Sequence, residues 1–123
     1  MNNKMQDYDL QQRLVNFSAE VIKNVNALHK NYAAEHLIKQ LIRSASSSAL
    51  NYGEAQSAES RKDFIHKMKV CLKELRESQV NLEILNQANL IQFPHKFEFI
   101  IKENKELVAI FTTSIKTSSQ KRI

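Results

Sequence analysis

The chain has 123 residues, a net charge of +5 and 42% hydrophobic residues, with one glycine, one proline and one cysteine. So few turn-forming residues exclude a sheet protein of this size, which would need a breaker at every hairpin. The lone cysteine excludes an internal disulfide, the lone glycine a glycine-rich phosphate loop, and no apolar run approaches the roughly 20 residues of a membrane span.

The N-terminal MNNKMQDYDLQQ has no hydrophobic signal region, so a cytoplasmic protein is expected, and the length fits one domain over 1–123. After a polar, loose start, Leu10, Leu14, Phe17, Val21, Val25 and Leu28 recur at helical spacing and predict a first helix over about 7–29. A second helix, about 33–56, follows the candidate cap Asn31. Its inner stripe is Ala34, Leu37, Ile38, Leu41, Ala45, Ser48, Tyr52 and Ala55. The later part of that stripe is small, and Ser46 to Ser48 sit in the helix interior. Small side chains let helix backbones approach closely, and serine hydroxyls can bond back to the carbonyl one turn earlier. Tight packing therefore explains the serines better than nucleophilic chemistry, since no histidine or lysine lies one turn away to act as a base.

The third helix, about 61–87, is the clearest element. Phe64, Met68, Cys71, Leu75, Ser78, Leu82 and Leu85 alternate steps of four and three, a seam along a helix roughly 40 Å long. Ser60 with Asp63 three residues on marks its start as a capping box. NQANLIQFPH breaks the chain, and Pro94 is expected in the first turn of a fourth helix, about 94–117. Its seam is Phe97, Ile100, Asn104, Leu107, Phe111 and Ser114, and the final KTSSQKRI is expected to fray. Four long amphipathic helices with short connections predict an all-α, antiparallel up-down-up-down four-helix bundle.

Arg43-Ser44, Ala49 to Asn51, Glu54-Ala55-Gln56 and Ser60 to Ile65, with Lys67-Met68, Leu72 to Glu74 and Glu77, resemble the 23S rRNA-intervening-sequence protein family. The resemblance runs from about Leu14 to Ser114 and is most specific between Gln40 and Leu85. It implies a small bacterial protein, a four-helix protomer and assembly as a homopentamer. The accessory proteins of diversity-generating retroelements, which bind nucleic acid, are distantly similar. Where the commoner family pattern has Asn-Ile-Ala-Glu-Gly, this chain has Asn51-Tyr52-Gly53-Glu54-Ala55.

Two stripes are candidate sites. Gln40, Arg43, Ser47, Asn51 and Glu54 share one face of the second helix beside its seam, where polar groups usually form a network fixing register between helices or subunits. Antiparallel pairing sets Arg43 level with Glu74 and brings Lys67 within about one turn of Glu54. Lys62, His66, Lys69, Lys73 and Arg76 step by four and three on the outer face of the third helix. Such a row can track a phosphate backbone or form an ordinary solvated lysine face, and no aromatic residue interleaves to stack on bases.

Off-seam apolar residues, Val15, Ile22, Val70, Val80, Ile84, Phe99 and Ile110, favour a subunit interface. His29, His36, His66 and His95 lack metal-ligand spacing, and no Glu-x-x-His pair occurs. The expectation is a cofactor-free, metal-free, non-enzymatic oligomeric binding or scaffold protein. RNA or DNA is the leading partner, and a protein-interaction module with no nucleic-acid role is the alternative.

Overall fold

The computed structural model describes the backbone of residues 3–120 and the side chains of residues 10–120. Helices α1 (Asn3–Asn24), α2 (Tyr32–Gln56), α3 (Arg61–Gln87) and α4 (Glu98–Gln120) carry the fold, with single 3-10 turns at Val25–Ala27 and Pro94–Lys96. The protein is all-α, and among the described residues the one extended pairing is an isolated antiparallel bridge between Leu28 and Ile91.

Local chemistry sets the helix ends. Asn31 is extended and its side chain accepts from the Ala34 amide at 2.8 Å, capping α2. Ser60 does the same for Asp63 at 3.0 Å, capping α3; among the described residues no bond returns from the Asp63 carboxylate, so only half of the expected capping box forms. At the far end of α3, Asn89 adopts φ 59°, a left-handed conformation that asparagine tolerates better than most side chains. The amides of Leu90 and Asn89 then donate to the carbonyls of Leu85 and Asn86, closing the helix with a Schellman motif that buries Leu90.

Both ends of α1 and of α4 differ from those read in the sequence. The apolar stripe of α1 runs on to Leu28, yet the helix ends at Asn24, because Leu28 leaves it to pair with Ile91 and the His29 amide donates to the Leu90 carbonyl at 2.8 Å. Pro94 opens a separate 3-10 turn rather than α4, and Phe97, fully buried, closes that turn before α4 begins at Glu98. With no glycine or proline to stop them, α1 begins at Asn3 rather than near Asp7 and α4 continues to Gln120 rather than ending near Thr117. Residues 121–123 of the tail expected to fray lie outside the described residues.

The helices pack α1 on α2, α2 on α3, α3 on α4 and α4 back on α1, an order consistent with an up-down-up-down bundle. Cross-contacts show α2 and α3 to be antiparallel: Glu54 meets Lys67, Ser44 meets Ser78, and Leu37 meets Asn81, numbers falling along one helix as they rise along the other. This pair shares the most extensive contact. Ser44 on α2 faces Ser78 on α3, and Ser44, Ala45, Ser48 and Ser78 are all buried small side chains of the kind that let helix backbones approach, while the Ala45 carbonyl accepts from Ser18 of α1 at 2.9 Å. The Ser44 and Ser78 hydroxyls lie 2.7 Å apart, and Ser44, Ser46 and Ser48 each donate back to a carbonyl of their own helix, so the serines are satisfied without water.

Leu14, Phe17, Leu41, Leu75, Leu85, Phe97, Ile100, Leu107 and Phe111 are fully buried around this pair, and Tyr52 meets the Phe111 ring edge-on at 5.7 Å. Each such side chain contributes roughly 1.5–3 kcal/mol relative to an exposed one. Asn104 is also fully buried; its amide donates to the Leu75 carbonyl at 3.1 Å and its oxygen has no partner. Asn81 donates to the Leu37 carbonyl at 2.9 Å with its oxygen likewise unpartnered. Each amide ties α3 to a neighbour at one height, exchanging some stability for a fixed register.

Leu75→Ala is expected to lower unfolding free energy by about 2–5 kcal/mol, because Leu75 is sealed between helices. Leu50→Ala, at a side chain 67% exposed, is expected to change it by less than about 0.5 kcal/mol. Urea titrations of the two variants check both.

Candidate functional site

On α2 the polar stripe divides. Arg43 donates to both carboxylate oxygens of Glu74, at 3.1 and 3.4 Å, to Gln40 at 3.3 Å, and closely to Glu77. Lys67 meets Glu54 at 2.6 Å. Both pairs lie within one protomer. Asn51 donates to the Ser47 carbonyl on its own helix at 2.8 Å, and neither it nor the Ser47 hydroxyl joins the cross-helix contacts among the described residues. The structure thus brings together Gln40, Arg43 and Glu74, pairs Lys67 with Glu54, and leaves Ser47 and Asn51 aside; Glu77 is the member the spacing argument did not assign.

The Glu74 side chain is only 12% exposed while that of Arg43 is 46% exposed, so the carboxylate gains more from the pair than the guanidinium does. Partial burial works against the Arg43 charge, but Glu74 and Glu77 outweigh it and hold its pKa above the ordinary value. Lys67 is raised as well, by its hydrogen bond to Glu54 and by that carboxylate's charge.

A second clasp, not found by periodicity, joins α1 to α4. Arg13 forks onto Glu103 at 2.7 and 2.9 Å and reaches Glu106 at 2.9 Å. The Glu103 side chain is 9% exposed, and its hydrogen bond and charge, against a smaller opposing effect of burial, hold the Arg13 pKa well above its usual range. The signal was present in outline: Glu103 and Glu106 stand three apart on α4, and an up-down bundle sets α4 beside α1. Without the register of that pair, however, no sequence argument selects Arg13.

Lys62, His66, Lys69, Lys73 and Arg76 are all exposed along one face of α3, and among the described residues none of them forms an ion pair. The bundle's ion pairs use other cations: Arg13, Lys23, Arg43 and Lys67. Two grooves meet at Lys69. One, of about 700 Å³, lies where the start of α3 meets the end of α4. The other, of about 690 Å³, runs along α3 beside Leu37 of α2, floored by Leu72, Val80 and Ile84 and flanked by Lys73 and Arg76.

Of the off-seam apolar residues, Val15, Ile22, Val80, Ile84 and Phe99 are exposed and Val70 and Ile110 are half-buried. Cys71 is buried in the α3 seam, and burial pushes its thiol up to about 12, which makes it a packing residue rather than a nucleophile. His29 meets Gln92 at 3.0 Å, while His36, His66 and His95 are exposed on separate elements. Such a surface can hold anions along α3 and cover apolar area against another chain.

Arg13→Ala is expected to cost about 3 kcal/mol, since it strands Glu103, and Arg43→Ala roughly 1–2 kcal/mol, since water reaches half of that pair. Chemical denaturation ranks the two. Because the folded Cys71 pKa is raised from 9.0 to about 12, the folded state holds its proton more tightly than the unfolded chain does. That contribution is complete below pH 9 and lost as pH rises from 9 towards 12. Cys71→Ala is expected to flatten the alkaline limb of the stability–pH curve, and the native thiol to resist alkylation at pH 8.

Comparison with solved structures finds a Bacteroides thetaiotaomicron VPI-5482 protein of unknown function from the S23 ribosomal protein family. It is similar to this chain with a TM-score of 0.76 and 28% identity, over 87% of this chain and 98% of that one. Comparison with curated proteins finds no match. Residues 6–113 match the family described as 23S rRNA-intervening sequence protein. A match over that much of the sequence, on a fold shared with an S23 family structure, makes the chain a member of the 23S rRNA-intervening sequence protein family.

Proposed function

We propose that the protein is a non-enzymatic, homo-oligomeric binding protein of the cytoplasm, whose α3 face engages nucleic acid, structured RNA above all. The observation that carries this reading is the row Lys62, His66, Lys69, Lys73 and Arg76: five cationic or titratable side chains exposed on one helix face, none neutralised by a carboxylate among the described residues. Ion-paired cations are already spent, whereas a row of unpaired ones about 5–6 Å apart can replace the counterions of a phosphate backbone. The family's description, which refers to sequence intervening in 23S rRNA, points the same way.

Oligomerisation is supported by the exposed apolar residues on separate helices, Val15 and Ile22 on α1, Val80 and Ile84 on α3, and Phe99 on α4. A closed ring, the pentamer implied by the family resemblance, would cover them and repeat the basic face around its axis, so that weak single contacts act together. The non-enzymatic part rests on Ser44, Ser46 and Ser48 of α2, whose hydroxyls donate to backbone carbonyls, and on the buried, protonated thiol of Cys71. The protein-interaction reading has its own support in the apolar floor of the groove beside Leu37.

Fluorescence anisotropy with a structured RNA and a duplex DNA, across a salt series, tests the proposal. Lys69→Glu combined with Lys73→Glu is expected to weaken binding more than tenfold and to lower the salt slope by about two, close to one per lost phosphate contact. Light scattering is expected to give several times the 14.3 kDa of one chain. Absence of binding at 50 mM salt, or an unaltered slope in the variant, contradicts the nucleic-acid reading and leaves the protein-interaction one; a 14.3 kDa particle contradicts the oligomer.

A further inference from the structure

The groove between the start of α3 and the end of α4 is lined by Arg61, Lys62, Ile65, His66, Lys69 and Ser119, without a single carboxylate. Arg61 and Lys62 are the first two residues of α3, immediately after the Ser60 cap. A helix N-terminus already carries partial positive charge and free amides, so cations are disfavoured there and anions favoured. Two cations at that end, with His66 and the cation Lys69 one and two turns further along the same groove, form a cluster none of whose members makes an ion pair among the described residues. The nearest acidic side chain of the first turn, Asp63, does not line the groove. Across from them the Ser119 hydroxyl offers a donor from α4.

We propose that this groove takes the terminal phosphate of a nucleic-acid strand. The inference rests on the reading of α3 as a nucleic-acid surface and adds a direction to it. An internal phosphodiester carries one charge and is flanked by sugars on both sides, whereas a terminal phosphate carries nearly two at neutral pH and enters a recess from one side. With the end phosphate held by Arg61, Lys62 and His66, the strand runs on past Lys69 to Lys73 and Arg76, which lie further along the same helix. The convergent cluster thus serves the end of the strand, and the open row beyond it the backbone.

The test uses one RNA sequence carrying a 5′-phosphate, a 3′-phosphate, or hydroxyls at both ends, with inorganic phosphate and a free mononucleotide titrated separately. At least one phosphorylated strand is expected to bind about tenfold tighter than the hydroxyl strand. Arg61→Gln with Lys62→Gln is expected to abolish that preference without lowering the melting temperature, and Lys73→Gln to weaken all strands equally. Equal binding of the three strands with the salt dependence intact overturns the end site and leaves the general nucleic-acid reading standing. A preference that survives Arg61→Gln with Lys62→Gln overturns the assignment to this groove. Inorganic phosphate or mononucleotide binding as tightly as the phosphorylated strand makes the ligand a free phosphate and overturns the strand-end claim, and no binding by any strand at low salt overturns both readings.

Discussion

Ser44 of α2 lies against Ser78 of α3 with the two hydroxyls 2.7 Å apart, an approach that larger side chains would not allow, and Ala45 and Ser48 beside it on α2 are buried as well. A helix pair this close turns everything just off its seam into a contact. Arg43 reaches Glu74 and Glu77, Lys67 reaches Glu54, and Asn81 reaches the Leu37 carbonyl because small residues bring the two backbones together. α1 and α4 then close the bundle through Phe17, Phe97 and Phe111 and through the Arg13 fork onto Glu103.

From that closeness follow two different fates for polar side chains. Cations beside the seam are consumed by carboxylates, and their charge contributes to register. Cations two residues from the seam are exposed and form no ion pair among the described residues, although Glu77 lines the same groove as Lys69, Lys73 and Arg76, and their charge is available to something outside the chain. The same sorting applies to apolar residues: Met68, Cys71 and Leu75 disappear into the core, while Val80 and Ile84 remain on the surface of the same helix. One helix therefore supplies core, clasp, exposed basic row and apolar patch at successive angles around its axis.

Most of this sorting was legible in the sequence because it depends on period alone. Every seam residue assigned to α3 from Met68 to Leu85 is buried, and α2 is capped by Asn31 as its spacing suggested. Period says less about where a helix stops. Leu28 continues the α1 stripe and still leaves the helix, because a bridge to Ile91, far along the chain, competes for it. Pro94 has the chemistry of a helix start and makes one, but of a separate 3-10 turn, since Phe97 must first be placed in the core. The Arg13 fork depends on the register between the first and last helices, which no local pattern encodes. Ser47 and Asn51 show the reverse: a shared face placed them with Arg43, and the distances leave them out.

We assign the α2 stripe to structure and propose the exposed α3 row as the binding face. Backbone and lysine side-chain NMR resonances, followed during titration with a structured RNA, separate the two most directly. Shifts are expected to concentrate at Lys62, His66, Lys69, Lys73 and Arg76, with Gln40, Arg43 and Glu54 unmoved. Shifts centred on Arg43 and Glu54, with the α3 row silent, would contradict this assignment.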